Sequence, residues 1–166
     1  MVPRRAWQST VLLASLAVSG CTGNPPHRDP TPTVTASQPS TATCTTSVQT
    51  GVLPTWAQGG FNPPTRPMPH VLGANGDIVA ILFGQPLRSP ARAERANKIL
   101  WVSRVDHGGD ALKIKATLNG SSIAATRNVA GRPGPSIIDL PAAGCWSFAL
   151  SWSHHLDRMS IPYHAS

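Results

Sequence analysis

The chain has 166 residues, with 14 Lys+Arg against 7 Asp+Glu, 17 Pro, 14 Gly and three Cys. Charged residues make up 13%, about half the share of an ordinary soluble domain, which excludes a coiled coil and a highly charged disordered chain. Pro and Gly together stay below the ~25–30% of wholesale disorder, and no apolar run reaches the ~18 residues of a spanning helix; one folded domain is the expected count.

Residues 1–20 read as a secretory signal: Arg4 and Arg5 in a short n-region, an apolar stretch over 11–18, then small residues. Val18-Ser19-Gly20-Cys21 resembles the bacterial lipobox, in which the Cys is thioether-linked to a diacylglyceryl group and becomes the mature N-terminus. The apolar stretch is too short to span a bilayer, whereas acyl chains contribute ~0.8 kcal/mol per buried methylene. The expectation is a membrane anchor on Cys21, with an ordinary secreted protein as the alternative. The Arg pair also resembles a twin-arginine signal, but Pro3 and the lack of a basic residue past the apolar stretch weaken that route.

Residues 21–43 follow as the lipidated Cys and a linker of Thr, Pro, Ser and Ala with a single Val and no aromatic side chain. Such a segment cannot bury enough apolar surface to fold. Residues 53–69 are Pro-rich in a different way, with Trp56, Phe61 and Met68 set among Pro54, Pro63, Pro64, Pro67 and Pro69; aromatic anchors at these intervals predict an irregular strap over the surface of a domain spanning 44–166. Pro64-Thr65-Arg66-Pro67 also fits PxxP, a reading that suits an exported protein poorly.

Beyond the strap the pattern is one of short strands. Residues 77–83 (DIVAILF) and 98–105 (KILWVSRV) are apolar runs, the first after the turn signal Asn75-Gly76. Residues 111–118 alternate, Leu112, Ile114, Ala116 and Leu118 against Lys113, Lys115 and Thr117, the mark of a half-buried strand. After the Asn119-Gly120 turn come strands over 122–129, 136–140, 145–152 and 158–163, and in 145–152 Trp146, Phe148, Leu150 and Trp152 alternate with Ser147, Ala149 and Ser151. A turn or two of helix over 90–97 (PARAERAN) is the one helical signal. About seven antiparallel strands at this spacing predict an all-β, two-sheet sandwich.

If Cys21 carries lipid, Cys44 and Cys145 are the remaining pair, and an exported domain can oxidise them; two free thiols are the alternative. The segment 136–152 resembles the late-strand corner of immunoglobulin-like sandwiches. More narrowly, LPxxGCWxFxLxW at 140–152 and Lys98-Ile99-Leu100-Trp101-Val102, behind a lipobox and a Thr/Pro linker, resemble a family of uncharacterised lipoproteins from high-GC Gram-positive (actinobacterial) bacteria. The resemblance spans roughly residues 53–163 and implies an immunoglobulin-like fold, without catalytic residues to carry over.

No GxSxG elbow, HExxH, Walker loop or GxGxxG occurs, so no catalytic residue and no cofactor is assigned; an envelope hydrolase with an unrecognised Ser/His/Asp site is the alternative. Asp106-His107-Gly108-Gly109-Asp110 and His154-His155-Leu156-Asp157 mix nitrogen and oxygen donors of the kind zinc accepts. His107, Asp110, His154, His155 and Asp157 are thus candidate ligands, weighed against ordinary turn chemistry, and no metal site is assigned. Arg88, Arg92, Arg95 and Lys98 form a basic cluster suited to anionic lipid or phosphate-bearing wall polymers. The reading is a monomeric, non-enzymatic, extracytoplasmic binding module on the outer face of the cytoplasmic membrane. Its partners would be the membrane through Cys21 and an envelope protein or anionic wall polymer, and not nucleic acid.

Overall fold

Strands built from alternating sequence can leave one face in water, whereas continuous apolar runs need cover on both faces, and the two kinds divide this molecule. The computed structural model describes Cys44 and residues 48–166. The expected signal peptide over 1–20, the expected lipidation site Cys21 and the expected linker to residue 43 lie outside the described residues, and no helix among those described is long and apolar enough to cross a membrane.

Among the described residues there are ten strands: β1 (Gln49–Gly51), β2 (Met68–Leu72), β3 (Ile78–Leu82), β4 (Arg88–Ser89), β5 (Lys98–Ser103), β6 (Leu112–Leu118), β7 (Ala124–Val129), β8 (Pro135–Ile137), β9 (Gly144–Trp152) and β10 (His155–Ala165). They form two five-stranded sheets, β1-β2-β3-β5-β8 and β4-β10-β9-β6-β7. All pairs are antiparallel except the short β4–β10 pair, which is parallel. The fold is therefore an all-β two-sheet sandwich. The seven strands expected from sequence correspond to β3 and β5 to β10; β1, β2 and β4 are additional. Residues 90–97 form no helix: a tight turn bridges Arg92 to Arg95. The buried Asn97 side chain holds the ends of that connection, accepting from the Arg88 N–H at 2.9 Å and donating to the Arg88 carbonyl and to Asp139 at 2.8 Å.

Between the sheets lie Ala80, Leu82, Ile99 and Trp101 from the first, and Leu112, Ile114, Trp146, Phe148, Leu150, Trp152 and Ile161 from the second. Trp101 and Phe148 meet across the layer with ring centroids 6.1 Å apart. Each such large side chain contributes roughly 1.5–3 kcal/mol on burial. Tyr163 is buried with them and donates its hydroxyl to the Ile138 carbonyl at 2.7 Å; burial pushes its pKa well above the ordinary range.

The outer face of the first sheet is covered. Leu53 and Ala57, with partly buried Trp56 and Phe61, pack on Met68, Val79 and Ile81 to form a second small core. All five residues of β3 are buried as a result. A 3-10 turn at Thr55–Ala57 shapes this segment, and the Gln58 side chain ties it back to the Leu53 carbonyl at 2.8 Å. Its C-terminal end, Met68 and Pro69, belongs to β2.

Two long-range ties hold the ends of the sandwich. Cys44 and Cys145 form a disulfide with Cα atoms 5.2 Å apart and a sequence separation of 101. The second tie is Asp157, only 2% exposed. Its oxygens accept main-chain N–H groups from Asn75 at 3.0 Å, Asp77 at 3.1 Å and Arg158 at 2.7 Å. The turn between β2 and β3 is thereby sewn to β10, reinforced by the Ala74 N–H on the Arg158 carbonyl and by Asn75 Nδ2 on the Leu156 carbonyl. Gly73 allows the approach, because a Cβ there would stand 2.2 Å from Asp157 Oδ2.

Removing this acceptor leaves three part-buried main-chain donors without their partner, so Asp157→Ala is expected to cost about 1–3 kcal/mol. Asp157→Asn, which keeps one acceptor oxygen, should fall between Ala and wild type in urea denaturation. Replacing Cys44 and Cys145 together by Ser should lower stability by about 2–5 kcal/mol, read as an earlier urea midpoint without reductant; an unchanged midpoint would contradict it.

Candidate functional site

Among the described residues no segment straps the outer face of the second sheet. On its outer face the register aligns three rows of side chains across β7, β6, β9 and β10: Asn128, Lys113, Ser151, Leu156; then Thr126, Lys115, Ala149, Arg158; then Ala124, Thr117, Ser147, Ser160. Because strand side chains alternate, the same residues that send Trp146, Phe148, Leu150 and Trp152 inward leave Ser147, Ala149 and Ser151 outside. The central strand β9 thus contributes only small side chains to this face. Lys113 and Lys115 rise on one side of it, and Leu156 and Arg158 on the other.

The result is a shallow trough made of adjoining depressions. One of about 510 Å³ lies between Lys115, Thr117, Ser147, Ala149, Arg158 and Ser160, closed at its side by Ala74 of the β2–β3 turn. Another of about 390 Å³ shares Lys115 and Ala149 with it and continues to Lys113, Ser151 and Leu156. A third, about 360 Å³, extends past Lys113 and Ser151 to Asp110 and Ser153, and a fourth, about 170 Å³, opens between Ala74, Asn75, Leu156 and Arg158. Lys113, Lys115 and Arg158 are all exposed. Among the described residues the one ion pair is Arg104 with Asp77 at 2.8 Å, so none of the three trough cations is neutralised by a carboxylate contact. Leu156 is 70% exposed, a large apolar side chain standing on the rim.

The His-bearing loops do lie at one end of the sandwich. Ser153, at the β9–β10 turn with a positive φ of 47°, donates its hydroxyl to the His107 carbonyl at 2.6 Å. Their functional groups, however, are turned to local main-chain work. His107 Nδ1 accepts the Gly109 N–H at 3.3 Å, and Asp106 accepts the Gly108 N–H at 3.1 Å. That N–H holds the Asp106 carboxyl below the ordinary carboxylate range. His155 lies against Trp152 with ring centroids 5.7 Å apart, and His154 is exposed at the turn. Asp110, also exposed, borders the end of the trough, while Asp157 is the buried tie of the preceding section. Among the described residues no three His, Cys, Asp or Glu side chains gather as a metal-holding set. Ser153 and His107 meet through a carbonyl, not as hydroxyl and imidazole.

The basic cluster in the β4–β5 connection is partly committed to structure. The Arg88 guanidinium donates to the Ala165 carbonyl, and Lys98 Nζ sits 5.5 Å from the centroid of Phe83, whose ring stacks on Phe61 at 6.3 Å. Arg92 and Arg95 remain exposed, with Glu94 between them. The cationic surface with a depression beside it is therefore the one on the second sheet. Lys113 and Lys115 were visible in the sequence as the polar half of an alternation. Arg158 and Leu156 were not, because their place opposite the lysines depends on the β6–β9–β10 register.

Ser153→Ala should release the loop over 106–110 at little global cost. One hydrogen bond contributes about 0.5–1.5 kcal/mol, so faster amide exchange at residues 108–110 with a nearly unchanged unfolding midpoint is expected. Comparison of the chain with protein-family models, with curated proteins and with solved structures found no match.

Proposed function

We propose that this protein is a membrane-anchored bacterial lipoprotein of the high-GC Gram-positive type, whose immunoglobulin-like sandwich is a non-enzymatic binding module at the cell envelope. The anchor is the diacylglyceryl group on Cys21, and residues 22–43 serve as the tether. The observation that carries the reading is the Cys44–Cys145 bond. Disulfides persist in oxidising compartments outside the cytoplasm, which supports export. The pairing also leaves Cys21, in its lipobox-like setting, as the cysteine outside the bond.

The binding role draws support from the contrast between the two sheets. One outer face is filled by the segment carrying Leu53, Trp56, Ala57 and Phe61. The other keeps a continuous trough lined by small hydroxyl side chains and flanked by cations. At the His-bearing end Asp106, His107 and Ser153 are occupied by their own loops, whereas the trough offers a continuous set of charged and hydrogen-bonding groups, and it is the surface on which a partner fits.

Fractionation of cells expressing the full chain tests the anchoring. Wild type is expected in the membrane fraction and should incorporate a palmitate analogue. Cys21→Ser should lose the label and move to the soluble extracytoplasmic fraction, whereas a Cys21→Ser protein that stays with the membrane overturns the lipobox reading.

A further inference from the structure

We infer that the trough on the second sheet binds an extended phosphodiester-linked polyol chain, with Lys113, Lys115 and Arg158 contacting successive phosphates and Ser151, Ser160 and Thr117 meeting the hydroxylated links between them. The inference deepens the binding-module reading and rests on it for the biological setting, though not for the chemistry of the site.

Charge complementarity selects the ligand class. Three exposed cations surround the central depressions, and the side chains lining those two depressions include no carboxylate. Carboxylates enter only at the two ends, Asp110 beyond Lys113 and, in the depression past Arg158, Asp157, whose oxygens are already taken by main-chain N–H groups. A ligand that fills the centre is therefore anionic.

Shape and spacing make it a chain. The depressions adjoin one another across the sheet, sharing Lys113, Lys115, Ala149, Ser151 and Arg158 along the way. Lys113 and Lys115 stand two residues apart on one strand face, roughly 7 Å, and Arg158 lies two strands across from Lys115, roughly 10 Å. Singly charged groups repeated along a flexible backbone can meet such spaced point charges one by one. Lysines bind phosphate as compact point charges and arginine can grip it through its fork; two of the three cations here are lysines and the third is Arg158.

The floor decides between polyanions. Ser151, Ser160 and Thr117 are short hydroxyl groups that can both donate to and accept from a polyol. The aromatic side chains of β9 that border the trough, Phe148 and Trp152, are buried at 1% exposure. A nucleic acid strand therefore finds no ring on which to stack its bases, and a protein partner finds none of the exposed aromatic anchors that dominate such interfaces.

The test is titration of the full chain, purified in detergent, with a synthetic glycerol phosphate oligomer of about ten repeats, polyglutamate of similar charge serving as comparator. Saturable binding is expected, weakening with salt with a log–log slope of about −2 for three phosphate contacts. Lys115→Gln with Arg158→Gln should weaken binding at least tenfold. Ala149→Phe, which fills the trough without changing charge, should weaken it comparably, while Arg92→Gln with Arg95→Gln should leave it unchanged. Absence of binding overturns the inference, as does equal affinity for polyglutamate, equal loss in the Arg92/Arg95 variant, or indifference to Ala149→Phe. Tighter association with phosphatidylglycerol-containing vesicles than with vesicles of neutral lipid, abolished by Lys115→Gln with Arg158→Gln while the oligomer does not bind, would assign the face to the membrane surface instead. The titration involves no lipid anchor, so its failure and the failure of the Cys21 fractionation are separate results.

Discussion

The carboxyl group of Asp157 is the point on which the rest of the structure turns. A buried carboxylate without a neighbouring cation is costly unless donors replace the water it lost, and here three main-chain N–H groups do so. Two of them come from the β2–β3 turn of the opposite sheet. Satisfying one side chain therefore fixes how the two layers meet at that end. It also fixes which residues of β10 face outward. With Asp157 inside, strand alternation places Leu156 and Arg158 outside, and a slip of one residue would reverse every side chain on the strand. The trough wall is thus a consequence of a buried hydrogen-bonding requirement one residue away. The same turn brings Ala74 against the edge of the depression beside Arg158.

The sandwich treats its two outer faces differently, and the sequence chemistry explains why. β3 is apolar on both sides, so Val79 and Ile81 need a cover, which the Pro-rich segment supplies through Leu53, Ala57, Trp56 and Phe61. Prolines suit the part of this segment ahead of β2, which runs over a sheet face outside the ladder, where their missing N–H would cost a hydrogen bond. β6 and β9 alternate instead, and their outer residues are Lys, Thr, Ser and Ala. These need no cover. Small residues on a central strand between longer side chains on its neighbours leave a depression, so the trough follows from the pattern of side-chain size as well as of polarity.

Much of this was legible beforehand. The alternation of Leu112, Ile114 and Ala116 with Lys113, Lys115 and Thr117 reports which face of β6 is wet, because one side chain in two must enter the core. The double burial of β3 is equally readable from DIVAILF. The helix expected over 90–97 failed because PARAERAN carries local helix formers while its ends are claimed by Asn97, whose side chain closes Arg88 and Asp139 around it; a tertiary contact overrode local propensity. Part of the basic cluster in the same connection is committed to structure for a related reason. Arg88 and Lys98 are adjacent in charge counting, yet one bonds the C-terminal strand and the other lies over an aromatic ring. Asp157 appeared in sequence as a candidate ligand, since nothing local reveals that its donors sit some 80 residues upstream.

Charge and geometry together limit what the trough can do unaided. At physiological ionic strength the Debye length is about 8 Å, so three exposed cations act on a polymer only once it lies within the trough. Contacts of this kind are individually weak, and surface ion pairs contribute only up to about 1 kcal/mol each. A single domain diffusing freely would therefore hold such a ligand briefly. On the proposed anchoring the situation changes without any new contact. Residues 22–43, if extended, reach at most about 70 Å, which confines the domain to a thin layer above the lipid. Confinement of that order raises the effective concentration of one partner at the other to roughly the millimolar range when the span permits. Weak, reversible contacts then become occupied for much of the time. On the proposed anchoring, the tether raises the occupancy of a trough whose contacts are individually weak.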